Sequence, residues 1–335
     1  MKRIIIRIVQ GLLILLVSLT GIYFLGPKPA SPQLLKPTLA LSVSLPILEQ
    51  EITVSEKQVK GIKPENEAKI VWADSSKKVK TKVAMLYLHG FGASEKEGYP
   101  TNTDLADTFD CNLYLARLSE HGINVGDDNF LNFTADNYYQ SGEKALNIAK
   151  QLGDSVVIVA TSAGAAMGLF LVSRHPEVKA LLMYSPAIKL YKKEAAMMPG
   201  PWGLQIAKWV TGKEHNDWVY KNQNHGKYWT NHQRFEGVVQ FSVFLKETMT
   251  PSTFGQVKCP VFMGYYYRDE ENQDKVVSVV AMQEMFEQLG TPQYLKRKVN
   301  FPDANNHVIA TSFLSDAWQK VESESIKFMR DVVKM

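Results

Sequence analysis

The sequence is poor in cysteine: Cys111 and Cys259 are the only two in 335 residues, and none stands just behind the apolar N-terminal run. A disulfide-stapled scaffold is thereby excluded, as is a lipid anchor on a cysteine behind an export signal. Each cysteine begins a predicted strand, and those strands belong far apart in the sheet argued below, so two buried free thiols are expected. Charge of one sign is also scarce. The net charge is +4, and removing Lys2, Arg3 and Arg7 leaves 35 basic against 34 acidic residues. That balance excludes a nucleic-acid-tracking surface; Lys77, Lys78, Lys80 and Lys82 have no interleaved aromatics and read as a solvated turn. Metal-binding patterns are missing as well. His215, His225 and His232 match no zinc spacing, and Asp269, Glu270 and Glu271 lack the glycine and alternation of a calcium loop, so neither metal nor cofactor is expected. No internal repeat or low-complexity tract is present.

What the sequence does have begins at its N-terminus. Ile8 to Leu25 contains no charged residue, just long enough to cross a bilayer core at about 1.5 Å per helical residue. Lys2, Arg3 and Arg7 before it should stay in the cytoplasm, which sends everything after Gly26 to the other side, the periplasm in a Gram-negative cell. Residues 1–26 thus read as an uncleaved membrane anchor, with a cleaved signal peptide and a secreted product as the alternative. Pro27, Pro29, Pro32, Pro37 and Pro46 then mark residues 27–60 as an extended tether and lead-in, ending in a short amphipathic piece near Glu49 to Lys60.

Regular alternation follows over 61–335. Strand-like runs occupy Ala68–Ala73 at the sheet edge, then Val83–Leu88, Asn112–Leu118, Ser155–Ala160, Lys179–Tyr184, Pro260–Tyr267 and Tyr294–Phe301. Helical patterns occupy Asn137–Leu152, Ala163–Arg174, Val277–Leu289 and Ala317–Val333. This alternation predicts an α/β fold with a mostly parallel, doubly wound sheet covered on both faces. One interval, about 187–256, has no clear strand and carries Trp202, Trp209, Trp218 and Trp229. It reads as an inserted helical cap, with Trp202 and Trp209 as expected substrate contacts and a core of the cap's own as the other use for its aromatics.

The chemistry centres on Val156–Leu169, VVIVATSAGAAMGL, where Ser162 stands between an apolar β-branched run and a small-residue helical run. Such a junction lifts a serine hydroxyl above a sheet edge, provided that positions two either side are small, and here they are Ala160 and Gly164. A plain helix N-cap is the alternative use of the same serine. A serine needs a base, and the base a carboxylate to orient it. Asp274 in QDKVVSV and His307 in DANNHVI follow later strands, so the order Ser162, Asp274, His307 runs along loops at one sheet edge. Asp269, Glu270 and Glu271 crowd the same loop, and Asp269 is the main alternative to Asp274. The turn Leu88–Gly92, LHGFG, supplies an oxyanion candidate, with the Phe91 and Ala163 amides as the pair.

The runs YLHGFGAS, LARLSEHG, ATSAGAAM, DKVV and NNH together resemble the α/β-hydrolase superfamily, in its carboxylesterase and monoacylglycerol-lipase branch, from about Val83 to the C-terminus. Two positions depart from that pattern: Ala160 replaces the first glycine of the elbow, and Glu120 a glycine of the second motif. The resemblance implies the α/β-hydrolase fold with Ser162 as nucleophile, His307 as base and Asp274 as its orienting acid. The expected activity is membrane-anchored hydrolysis of a small-molecule carboxylic ester with an apolar acyl group, which a lipid-like ester would meet. A non-catalytic binding protein and an acyltransferase using the same triad are the alternatives. The sequence carries no signal for oligomeric state.

Overall fold

Apolar residues on both faces of a strand require cover on both faces, and the central strands here have it. The computed structural model describes residues 2–38 and 44–335. Helix α1 (Lys2–Phe24) has no buried residue and is long and apolar enough to cross a membrane. Residues 27–38 carry no helix or strand, while Gln33 and Leu34 donate their amides to Asp136. Part of the expected tether, 39–43, lies outside the described residues. The amphipathic lead-in is helix α2 (Leu45–Lys57), which buries Leu48 and Ile52 and points Glu56 at Arg117 in a two-pronged ion pair of 2.6 and 3.0 Å.

The sheet then builds through β1 (Lys69–Val71), β2 (Thr81–Leu88), helix α3 (Thr101–Thr108), β3 (Asn112–Leu115), helix α4 (Ala135–Leu152), β4 (Gly153–Thr161), helix α5 (Ala163–Arg174) and β5 (Ala180–Tyr184). Before the sheet resumes come helix α6 (Gly203–Thr211), β6 (His215–Asp217), helix α7 (Gln223–Tyr228), β7 (His232–Arg234), helix α8 (Phe235–Thr248) and helix α9 (Pro251–Gln256). The last elements are β8 (Val261–Tyr265), helix α10 (Val279–Gln288), β9 (Lys296–Asn300) and helix α11 (Trp318–Phe328). Seven strands lie in the order β1-β3-β2-β4-β5-β8-β9, all parallel except the antiparallel edge strand β1. The chain thus forms the α/β sheet that the alternation predicts.

Period-2 geometry sorts the side chains of each strand between two cores. Leu86 and Leu88 of β2, Ile158 and Ala160 of β4, and Leu181 and Met183 of β5 join one; Met85, Tyr87, Val157, Val159, Leu182 and Tyr184 join the other. Each fully buried Leu, Ile or Met adds about 2 kcal/mol before the cost of ordering the chain. Both cysteines are free; β3 and β8, behind them, have three strands between them in the sheet.

Three features differ from the sequence reading. Helix α3 has no signal in the sequence, because Thr101–Thr108 is rich in Thr and Asp, poor helix formers, and is held by the burial of Leu105 and Ala106. β3 stops at Leu115 rather than Leu118, and Leu118 turns to donate its amide to His89. The inserted region holds a short hairpin, β6 paired antiparallel with β7, whose polar sequences HND and HQR give no strand signal.

Candidate active site

Ser162 sits where β4 ends and α5 begins, with φ 53° and ψ −114°, a backbone conformation that L-residues rarely adopt. Its surroundings over-determine that strain. The Ser162 amide donates to Tyr184 O (2.8 Å), and its carbonyl accepts from Ala165, Ala166 and Ala187. Gly164 is obligatory: a Cβ there would lie 2.1 Å from Leu88 O and 2.6 Å from His89 O. Ala160 is tolerated in place of the usual glycine: its methyl is buried against α5 without a clash, and even a Cβ added to Gly168 would sit 3.7 Å away.

The serine side chain does not cap its helix. Instead Ser162 Oγ lies 2.8 Å from His307 Nε2, and His307 Nδ1 lies 2.5 Å from Asp274 Oδ2. Asp274 is 1% exposed, and its other oxygen accepts from the Val276 and Val277 amides at 2.8 and 3.1 Å. Ser185 Oγ donates to the His307 carbonyl. Burial works against a charged His307, but Asp274 beside it, with a smaller contribution from Glu97, outweighs this and holds the imidazole pKa above its ordinary value. Asp269 is elsewhere: exposed, it closes its own turn on the Glu271 and Asn272 amides.

On the other side of Ser162 stands the turn Gly90–Ala93. Ala93 donates to Gly90 O (3.2 Å) and Gly92 has φ +76°, the glycine position of a type II turn. Phe91 therefore holds the second position, where the turn's own hydrogen bond leaves its amide unused. Ala163, the first residue of α5, likewise has no intrahelical acceptor for its amide. The turn presses on the serine, since a Cβ on Gly90 would lie 3.1 Å from Ser162 Cβ. His89 braces it: Nδ1 bonds Gly90 O (3.0 Å) and Nε2 accepts from the Leu118 amide (3.1 Å). The cap holds it from above, Thr230 donating to Gly92 O at 2.7 Å.

Sequence reasoning missed Glu97. It lies in a short 3-10 turn (Glu95–Gly98), is 2% exposed and accepts a hydrogen bond from the Gly90 amide, with Trp229 and Tyr87 beside it. Burial pushes its carboxyl up to about 7, against the opposing pull of the Gly90 amide and His307. Nothing in EKEG signals this, because a surface turn of the same composition would look identical.

The expected substrate tryptophans do not join the constellation. Trp209 is 84% exposed on α6, and Trp202 lies against the end of α1, donating Nε1 to Ile22 O at 3.2 Å. Trp229 and Trp218 serve instead, in a small cluster with Tyr228, Ala93 and Val308 that seats the cap on the loops carrying Phe91 and His307. Phe91 itself packs on Phe130, Phe133 and Phe241, with ring centroids 4.7 to 5.3 Å apart. His215 and His232, which sequence spacing set aside, meet at Asp127.

No known family profile matches the sequence, and no curated protein is similar to it. Solved structures are. One of two metagenome-derived lipolytic enzymes, LipS and LipT, is 15% identical over 80% of this chain and 99% of its own, with a TM-score of 0.63. A soluble variant of monoglyceride lipase from Saccharomyces cerevisiae is 13% identical over 83% and 98%, with a TM-score of 0.60. The monoacylglycerol lipase of Paleococcus ferrophilus is 12% identical over 78% and 97%, with a TM-score of 0.57. At these identities the likeness is one of fold, and the chain has the α/β-hydrolase fold.

Proposed function

We propose that this α/β-hydrolase-fold protein is a serine hydrolase that cleaves carboxylic esters through an acyl-enzyme on Ser162. The observation that carries the reading is the unbroken relay of Ser162 Oγ, His307 Nε2, His307 Nδ1 and Asp274, at 2.8 and 2.5 Å. As Oγ attacks the ester carbonyl, His307 Nε2 takes its proton and Asp274 stabilises the imidazolium that forms. The negative charge developing on the carbonyl oxygen is met by the Phe91 and Ala163 amides, each such donor being worth about 3 to 4 kcal/mol. His307 then returns the proton to the leaving alcohol, and activates the water that releases the acid.

The aromatic cluster around Phe91 supports an apolar acyl group. Helix α1 holds the protein at a membrane, with Lys2, Arg3 and Arg7 on the cytoplasmic side and the hydrolase body outside it. Trp202 bonds the end of α1, and Trp209 and Val210 are exposed on the helix that follows it, which favours esters drawn from the bilayer.

A fluorophosphonate probe tests the chemistry. Labelling of wild type but not of Ser162→Ala is the expected result; folded wild type that takes no label overturns the reading in favour of a binding protein. An acyltransferase would label equally, and would be revealed if an added alcohol captured the acyl group ahead of water.

A further inference from the structure

We propose that Asp127, His215 and His232 form a binding site for a divalent transition metal of the zinc class, which pins the cap hairpin to the body of the protein. The site lies on the cap and stands apart from the hydrolase reading.

The residues come from two distant parts of the chain. Asp127 belongs to a 3-10 turn (Gly126–Asp128), and the histidines to the paired strands β6 and β7. In that pairing His232 faces Asp217 and His215 faces Arg234, so the two imidazoles are diagonal neighbours. Their rings stack, with centroids 3.8 Å apart and planes 22° off parallel. Both turn Nε2 toward the same residue: His232 Nε2 lies 3.1 Å from Asp127 Oδ1, and His215 Nε2 lies 2.9 Å from Asp127 O. One ligand atom from each of the three residues falls within 4.8 Å of the others. In a tetrahedral zinc site with ligands at about 2.1 Å the ligand atoms stand about 3.4 Å apart, so side-chain movements of about an ångström would close the site. These partly exposed side chains have that freedom.

The second carboxylate decides the protonation pattern. Asp217 Oδ1 sits 2.7 Å from His232 Nδ1, and a carboxylate accepts but cannot donate, so Nδ1 carries the proton. In the neutral ring Nε2 then presents a lone pair, and it presents it to another carboxylate oxygen. Two acceptors at 3.1 Å repel unless a cation lies between or beside them. A proton on His232 satisfies that one contact; a metal ion would satisfy it as well, with His215 moving its proton from Nε2, where the Asp127 carbonyl accepts it, to Nδ1 so that Nε2 can ligate. A ligating imidazole whose far nitrogen is held by a carboxylate is the usual arrangement at metal centres, and it fixes both tautomer and ring angle. Two imidazoles with carboxylate and carbonyl oxygen form a borderline donor set, which suits zinc or its transition-metal neighbours better than magnesium or calcium.

The consequence is mechanical. Residues 126–129 already meet the hairpin through Arg234 N and Asn129 O at 2.9 Å, and a metal would add a second fastening.

The test is calorimetric titration of ZnCl2 into the full, untagged chain in detergent micelles after removal of metals by a chelator. One saturable zinc per chain is expected, with a melting temperature that rises with zinc concentration and no competition from equimolar magnesium. His215→Ala and His232→Ala should each abolish binding, Asp217→Asn should weaken it by about 10-fold or more, and His225→Ala should leave it intact. Circular dichroism of the variants reports whether they fold. Folded wild type that shows no saturable binding, or histidine variants that bind as wild type does, overturn the proposal; in that outcome the cluster is only a hydrogen-bonded contact between hairpin and turn.

Discussion

Two buried carboxyls flank Ser162, and they are solvated by the protein in different ways. Asp274 is met by three donors: two backbone amides on one oxygen and His307 on the other. Glu97 is met by the Gly90 amide and by neutral Trp229 and Tyr87, and its carboxyl is pushed up to about 7. Burial alone therefore does not set what a carboxyl does. The number and charge of the groups aimed at it decide whether it can hold a negative charge beside a working imidazole. Asp274 is built to balance the charge on His307; Glu97 is built into the turn on the opposite side, with His307 close enough to feel it.

The sharpest way to break this contrast is to remove the members of the relay. Ser162→Ala and His307→Ala should each lower kcat/KM on a p-nitrophenyl ester by at least about 10^4-fold, and Asp274→Asn by about 10^3- to 10^4-fold. Asp269→Asn should stay close to wild type, because its carboxylate only closes its own turn. Equal losses from Asp269→Asn and Asp274→Asn would show that the two loops share the work.

The strained elbow offers the next largest effect, read in stability. Gly164→Ala drives a methyl into Leu88 O and should cost about 3 kcal/mol or more in denaturant unfolding. Ala160→Gly should cost only about 1 kcal/mol, through chain entropy in a strand.

Glu97→Gln separates the two carboxyls by pH. Its folded pKa is raised above the unfolded value, so the stability that Glu97 contributes is full below the ordinary carboxyl range and is lost as pH rises to about 7. Between pH 4 and 8 wild type should lose up to about 3 kcal/mol relative to Glu97→Gln, which has no titrating group there. Activity should respond in the opposite limb. Because Glu97 helps to raise His307, the variant should shift the acidic limb of the kcat/KM profile to lower pH. An unmoved limb would mean that Glu97 does not act on the base.

The smallest effect belongs to the cap. Trp209→Ala should leave turnover of a short soluble ester unchanged, since the ring is exposed and joins none of the hydrogen bonds of the relay. A loss confined to esters presented in vesicles would connect this surface to the membrane.

The strands, the serine junction and the order of the three relay residues were legible because each is written in neighbouring residues. β-branched runs mark buried strands, small residues mark a tight crossing, and a parallel sheet carries its loops to one edge. The choice of Asp274 over Asp269 was only half legible: both stand in one loop, and the backbone decides which one turns inward. Glu97, the hairpin with its stacked histidines, and the places of Trp202 and Trp209 could not be read at all. Each depends on what residues from a distant part of the chain bring to it: Gly90 and Trp229 for Glu97, Asp127 for His215 and His232, and the end of α1 for Trp202. The sequence by itself determined the sheet and the residues able to react, because periodicity and turn chemistry are local. Tertiary structure alone decided which polar side chains were buried and against what, because burial and ionisation follow from contacts between segments that sequence spacing does not relate.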